Sequence, residues 1–321
     1  IKLLTDILRQ DPEGRDVFFI DGQIKKEGDM IRMHKAADFL DYIRHEGIRD
    51  FYFGDIAKRI SEDCQLRGGH LSREDFENYR VHVHAPMMLN WKNYKIAVPA
   101  FPSIGSYGLA LYFGLTQKQN FSDVEALKYT AEHIRSKDEV LHKIEELFPD
   151  LTVKWHEDLI ATKGTSHFNI LDKKGNAIAL TSSIGEGCGY FIPGTEMHLN
   201  NMLGETYLLP NGSHSWLPGT RLNSMMCPTL VFEDDVLRII SGSGGASRIP
   251  VAITQVIKNV IINKMNLENA TMASRLHFQE NTLHLENNMD VDVPQGEFKT
   301  MRWNGLSLFF GGVNSIYHAT D

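Results

Sequence analysis

Cysteine is scarce in this chain of 321 residues. Cys64, Cys188 and Cys227 are odd in number and widely spaced, so neither a disulfide framework nor a metal cluster suggests itself. Long apolar runs are also missing: nothing approaches the roughly eighteen apolar residues that a membrane-spanning helix needs. Positive charge is in deficit. With 33 Lys and Arg against 41 Asp and Glu the formal charge is −8, which argues against general nucleic-acid binding, since that requires a basic face. Internal repeats, low-complexity tracts and linkers are absent too. What remains, 42% hydrophobic and 23% charged, is a globular composition long enough for one large domain or two ordinary ones.

The stretch Gly164 to Gly189 organises the rest. His167 to Leu171 and Ala177 to Thr181 are β-prone runs separated by Asp172-Lys173-Lys174-Gly175-Asn176, whose Asn and Gly tolerate positive φ, so a hairpin is expected. It opens with a Gly164-Thr165 step, and its return strand carries Thr181, Ser182 and Ser183. If the bond before Thr165 is cut, one residue supplies both a hydroxyl nucleophile and a free α-amine that accepts its proton near neutrality. An isolated Gly-Thr is, by itself, an ordinary strand start.

Helical spacing predicts helices over Ile1–Arg9, residues 34–46 (with Ala37, Phe39, Leu40 and Ile43 inward and Gly47 as the stop), Asp55 to about Leu66, Gly108–Leu115, Val124–Phe148, Ser247–Lys264 and Leu267–Arg275. Ser72 is an N-cap ahead of Arg73-Glu74-Asp75. Strands are expected at Tyr94–Val98, Thr229–Phe232, Val236–Ile240, Leu283–Glu286, Phe298–Trp303, Leu306–Phe310 and Val313–Tyr317, which together suit a layered α+β domain. Gly242 to Gly245 lies between a strand and a helix and could present backbone amides to a developing negative charge; it lacks the Lys-Ser/Thr pair of a phosphate loop. Ser103 and Gly105 read as a structural turn. His82 and His84 could share one strand face, but no third ligand follows at metal spacing. Cys188 is expected to be buried.

Four motifs in order then resemble the gamma-glutamyltransferase family: Thr165-Ser166-His167 with Asp172 and Gly175-Asn176-Ala177; Leu199 to Glu205; Arg221 to Met226 with Pro228-Thr229; and Gly242 to Gly245 with Ser247-Arg248-Ile249. Upstream, Phe51-Tyr52 with Gly54, Gly69 with Leu71-Ser72 and Asp75, and Pro99 to Gly105 are similar to the later part of that family's large subunit. The resemblance implies the four-layer αββα sandwich of the N-terminal-nucleophile hydrolases. Residues 1–164 would be a large-subunit segment and residues 165–321 a small-subunit segment, intertwined as one domain. Because the chain starts at Ile1 in mid-helix, the first part of the large subunit, and any signal peptide with it, is expected to be missing.

The resemblance also implies roles. Thr165 would be the nucleophile, freed by cleavage after Gly164, with Ser183 hydrogen-bonded to it. Gly245 and Ala246 would supply the oxyanion amides. Glu205 would bind the substrate α-amino group, and Ser224, with the Asn223 amide in place of a second serine, the α-carboxylate. His167 would hold the local fold, because the α-amine is the base. Met202, Met225 and Gly185 depart from the family pattern and leave the acyl group open. The expected reaction is transfer or hydrolysis of glutathione and other γ-glutamyl amides through a γ-glutamyl ester, with an acceptor amino acid or water. The alternatives are an amidase or acylase for another acyl group and an unprocessed ligand-binding relative. No cofactor, metal, nucleic acid or membrane span is expected; the assembly would be a homodimer or a processed heterodimer, in cytoplasm or periplasm.

Overall fold

The computed structural model describes residues 2–100, 103–134, 137–151, 165–204, 219, 221–293 and 297–319. These form two compact units, Ile1–Val83 with Glu186–Asn201, and His84–Gly185 with Met202–Asp321. Residue 164 is a boundary of neither, so the second unit draws chain from both halves outlined above. No helix among the described residues is long and apolar enough to cross a membrane.

In the first unit the helix His34–Glu46 stops at Gly47, whose φ of 87° suits glycine. Ala36 and Phe39 form its buried stripe, whereas Ala37 and Leu40 face outward: the apolar face is narrower than expected and rotated by one position. The expected N-terminal helix is a 3-10 turn, Lys2–Leu4, and one α-turn, Thr5–Leu8. It yields to a second start at Asp11, whose carboxylate accepts the Glu13 N–H ahead of Pro12–Phe18. Ser72 makes a full capping box with Asp75. Residues 79–86 form no strand, so His82 and His84 share no strand face. Cys188 is exposed rather than buried. Gly187 and Gly189, at φ 85° and 80°, lie so close to the His198 ring and to Gln10 that a Cβ would collide, and the residue between them is turned to solvent.

The second unit is built on an antiparallel sheet of five strands. They are β1 (Met87–Trp91), β2 (Tyr94–Val98), β5 (Thr229–Glu233), β6 (Val236–Gly244) and β10 (Gly312–Tyr317), in the order β10-β6-β5-β2-β1. Leu89, Ile96, Val231 and Ile239 point into one core with Ile249, Ile253 and Ile257 of helix α4 (Arg248–Ile261). Helix α1 (Ile104–Lys118) enters the same core and is apolar nearly all round because it is buried nearly all round. Helices α2 (Asp123–His133) and α3 (Lys137–Leu147) replace the single long helix expected there; residues 135 and 136 are outside the described set. Lys258 and the Tyr112 hydroxyl both donate to Asp123, tying α1, α2 and α4 together.

On the opposite face of β6 lies the hairpin β3 (Thr165–Leu171) and β4 (Ala177–Ser183). Its turn is fixed by Asp172, which accepts the N–H groups of Lys174 and Asn176. Side chains alternate between half-buried and exposed along both strands, leaving Phe168, Ile170, Ile178 and Leu180 on the outer face. A smaller sheet, β7 (Leu276–Gln279), β8 (Thr282–Leu285) and β9 (Lys299–Arg302), follows helix α5 (Leu267–Met272). The strand expected at Leu306–Phe310 is a 3-10 turn, Leu308–Phe310, capped by the Ser307 hydroxyl and ended by Gly311 at φ 81°.

Candidate active site

Two glycines let the hairpin lie directly on β6. A Cβ at Gly242 would fall 2.1 Å from the His167 ring, and one at Gly244 would fall 2.3 Å from the Thr165 carbonyl oxygen. Any larger residue at either position would lift β3 away. Thr165 therefore starts its strand beside the end of β6, where the chain turns through Gly245 and Ala246 into α4.

Within the hairpin Thr165 is paired with Ser183, and the Thr165 hydroxyl donates to Ser183 Oγ at 3.3 Å. Ser183 Oγ also accepts the Gly185 N–H at 3.2 Å. Gly185 adopts φ 64°, a conformation in which an asparagine side chain would cost more than glycine does. Thr165 and Ser183 are both half-buried.

His167 is tied down rather than available. Its Nε2 donates to Asn169 Oδ1 at 2.8 Å, and its Nδ1 accepts from the Thr181 hydroxyl at 2.7 Å. Asn169 in turn donates to the backbone and side-chain oxygens of Asn314 on β10. Burial lowers the His167 pKa, with the Asn169 bond opposing in part, so the ring is neutral and structural.

The turn after β6 has two successive residues at positive φ, Gly245 at 125° and Ala246 at 54°. Ala246 is fully buried. A Cβ on Gly245 would lie 2.9 Å from Gly311 Cα, so the turn is backed by the Gly311-Gly312 step at the start of β10. Arg248 fixes the other side: its N–H bonds to the Gly245 carbonyl, its Nε donates to the Phe309 carbonyl at 2.9 Å, and its guanidinium covers the Phe309 ring. Gly311 and Phe309 escaped sequence reasoning; the Phe-Phe-Gly-Gly run at 309–312 was a visible signal, but its two aromatics read as the end of a strand.

Asn223 and Ser224 come from the segment leading to β5. Ser224 pairs with Ser103 in an isolated parallel bridge and accepts the Gly105 N–H on its carbonyl. Ser103 Oγ bonds to the Met226 carbonyl at 2.7 Å and caps α1. A Cβ on Gly105 would strike the Met225 carbonyl at 2.2 Å. Ser103 and Gly105 are thus the structural turn expected, and their purpose is to hold residues 223–227. The Ser224 hydroxyl accepts the Met226 N–H at 2.9 Å, which leaves its proton to donate. Asn223 is 1% exposed, and neither atom of its amide has a hydrogen-bond partner among the described residues. A buried amide left this way costs about 1–3 kcal/mol, a cost a polar ligand would remove. Cys227, fully buried, has its thiol pushed up to about 11 by desolvation, with bonds from Thr229 and Ser106 opposing, so it is unreactive.

Thr165, Ser183, Gly245, Ala246, Asn223 and Ser224 all belong to the second unit. Gly164 and Glu205, the remaining two expected site residues, lie outside the described residues. Among the described residues no group of three or more His, Cys, Asp or Glu side chains is placed to hold a metal.

The model of the family described as Gamma-glutamyltranspeptidase matches residues 1–148 and 118–317. The glutathione hydrolase proenzyme of Escherichia coli (strain K12) is 25% identical over 374 residues, covering 99% of this chain and 64% of that protein. The acylase ACY 1 proenzyme of Pseudomonas sp. (strain V22) is 26% identical, covering 98% of this chain and 62% of that protein. The chain thus spans less than two thirds of the length of these relatives. Among solved structures, the cephalosporin acylase from Bacillus halodurans has the same fold, with a TM-score of 0.75 at 21% identity over 98% of this chain and 63% of that one.

Proposed function

The chain belongs to the gamma-glutamyltranspeptidase family and has the α+β fold of the N-terminal-nucleophile hydrolases, and on that premise we propose that it is a self-processing Thr-nucleophile enzyme acting on glutathione and other γ-glutamyl amides. The observation that carries this reading is the Thr165 hydroxyl at the first position of β3, bonded to Ser183 at 3.3 Å, in a residue whose backbone packs on Gly244 just before the Gly245-Ala246 turn. In processing, Thr165 Oγ attacks the Gly164 carbonyl, the peptide C–N bond breaks, and an ester forms. Water then cleaves the ester, releasing the Gly164 carboxylate and the free α-amine of Thr165.

That amine is the base for turnover. It takes the hydroxyl proton as Oγ attacks the γ-amide carbonyl, and the amides of Gly245 and Ala246 stabilise the oxyanion. The protonated amine then gives its proton to the leaving nitrogen, leaving a γ-glutamyl ester on Thr165. Water or an amino acid, deprotonated by the same amine, attacks the ester and regenerates the hydroxyl. Ser183 orients Oγ. Ser224 and the Asn223 amide, which has no partner among the described residues, donate to the substrate carboxylate, and Glu205 accepts from its ammonium group.

A second reading, an acylase for a different acyl group, is favoured by Met225. This thioether is 7% exposed and lies beside Ser224, so one donor fewer is offered to a carboxylate there. The Pseudomonas acylase relative is consistent with it.

The test uses the complete gene product. Intact-mass spectrometry should find fragments ending at Gly164 and beginning at Thr165, together with glutamate release from glutathione. Thr165→Ala should abolish both, a loss of at least about 10⁴-fold in turnover, and Thr165→Ser should retain part of each. A processed protein inactive on glutathione but active on N-acyl amides would select the acylase reading. A protein that stays whole and inactive would be the ligand-binding relative, and one that stays whole yet hydrolyses glutathione would refute the α-amine as base.

A further inference from the structure

Beneath Met225 and Ser247, in the layer of helices, the second unit contains a cavity of about 390 Å³ that the reaction above does not use. Its walls come from α1, α2, the start of α4, and the β7–β8 turn. Most of the lining is apolar: Ile104, Leu127, Ile134, Pro250, Val251 and Phe278. Gly108 lies at the floor, where a Cβ would make ordinary contacts with Thr130, Ile134 and Pro250.

Two polar side chains in this wall have no hydrogen-bond partner among the described residues. Thr130 is 8% exposed and its hydroxyl oxygen has no hydrogen bond. It lies inside α2, where a threonine hydroxyl ordinarily bonds back to the preceding turn. His277 is 3% exposed, and its Nδ1 has none either. Its Nε2 faces the Gln279 amide oxygen at 3.4 Å, and that oxygen also accepts from the Ser247 hydroxyl at 3.3 Å. The amide oxygen can only accept, so Nε2 carries the proton and Nδ1 is a bare lone pair. Burial, aided by the positive charge of Arg248, takes the His277 pKa down to about 3, so the ring is neutral at any working pH. Two such buried groups in a mostly apolar cavity of this size are what a small-molecule site looks like when empty.

We propose that this cavity binds a small uncharged molecule with an apolar body and a hydroxyl or N–H donor, the donor going to His277 Nδ1 and Thr130 completing the polar end. Anions are disfavoured: among the described residues no Lys or Arg lines the cavity, and the Glu132 and Glu280 carboxylates stand at its exposed rim. The volume readily admits a substituted benzene or a short-chain amide. Ser247 and Met225, shared with the wall, directly follow Ala246 and Ser224, so the occupant sits behind the nucleophile's turn.

Ligand-observed NMR titration of the full chain with benzyl alcohol, toluene and benzoate tests this. Benzyl alcohol should bind saturably, about tenfold tighter than toluene, the value of one buried neutral hydrogen bond, and benzoate should not bind. Ala131→Phe, which fills the partly exposed mouth, should abolish binding. Thr130→Val, nearly isosteric, should weaken benzyl alcohol several-fold while leaving toluene unchanged, with circular dichroism confirming that both variants fold. Toluene binding as tightly as benzyl alcohol, benzoate competing, or binding indifferent to Ala131→Phe would each overturn the proposal. Glutathione turnover is not read out, so the result is independent of the reaction assigned to Thr165.

Discussion

Ala246 is an L-residue held at φ 54° with no exposure, in a turn where glycine would be the unstrained choice. The left-handed conformation costs such a residue about 1–2 kcal/mol, partly offset because glycine loses more entropy on folding. Ala246→Gly should therefore raise stability by about 0.5–1 kcal/mol, measured by urea denaturation. Its turnover should stay within about threefold of the parent, since the donor assigned to this position is a backbone N–H that the change keeps. Ala246→Val should lose at least about 2 kcal/mol, because a β-branched residue at positive φ clashes with its own carbonyl and has no free volume here. A large loss of turnover in Ala246→Gly with stability gained would mean that the methyl group, not the amide, is what the site uses.

The hairpin's seat on β6 depends on Gly242 and Gly244, and the two should fail differently. At Gly242 the obstacle is a side chain, the His167 ring; at Gly244 it is backbone, the Thr165 carbonyl. Gly242→Ala should cost about 2–3 kcal/mol and be substantially rescued by His167→Ala, a coupling that a double-mutant cycle measures. Gly244→Ala should find no such rescue and should lower turnover at least about 100-fold by displacing Thr165 from the turn, for misplacements near 1 Å cost that much. Additive effects at 242 and 167 would show that the hairpin does not sit there. This contact also marks what the sequence could and could not reveal. The Asp172–Asn176 turn, the helix stop at Gly47 and the Ser72 cap are local chemistry and were legible; so, through pattern and resemblance, were the strand start at Thr165, its pairing with Ser183 and the glycine turn after β6. The strand Met87–Trp91 was missed because its alternation is short and its partner's identity is a tertiary fact. The run before Gly311 read as a strand because its aromatics suit either state, and only the packing of Gly245 against Gly311 requires a tight turn there. Leu40 misled for the converse reason: periodicity shows which residues share a face, not how wide a face the neighbours cover.

At the scale of the whole molecule, acid should unfold this protein in stages set by which groups folding holds away from their ordinary pKa. His277 dominates the first stage. Its folded pKa, about 3, lies well below the unfolded value of 6.5, chiefly through burial and then through Arg248 and the neighbouring His284. Burial likewise lowers His167 and His284 in the second unit and His198 in the first. Below pH 6.5 the unfolded chain binds protons that the folded one refuses, so stability that is full above that value falls as the pH drops. For His277 alone the loss from pH 7 to pH 5 is about 2 kcal/mol, at 1.36 kcal/mol per pH unit once the unfolded ring is charged. Glu13 works in a lower window. Its burial would raise its pKa, but the Gly194 and Glu196 amides and Lys35 pull it below 4.5, so the stability it contributes is present above that value and is lost beneath it. Urea midpoints followed by tryptophan fluorescence should accordingly decline between pH 7 and 5, above the window in which Glu13 contributes. His277→Gln, which keeps a polar group of similar size but takes up no proton, should remove most of that decline while leaving the fall below pH 4.5 in place. An unchanged slope in His277→Gln would mean that the ring is reached by water in solution, and a cavity wet enough to do that would also leave Nδ1 satisfied without a ligand.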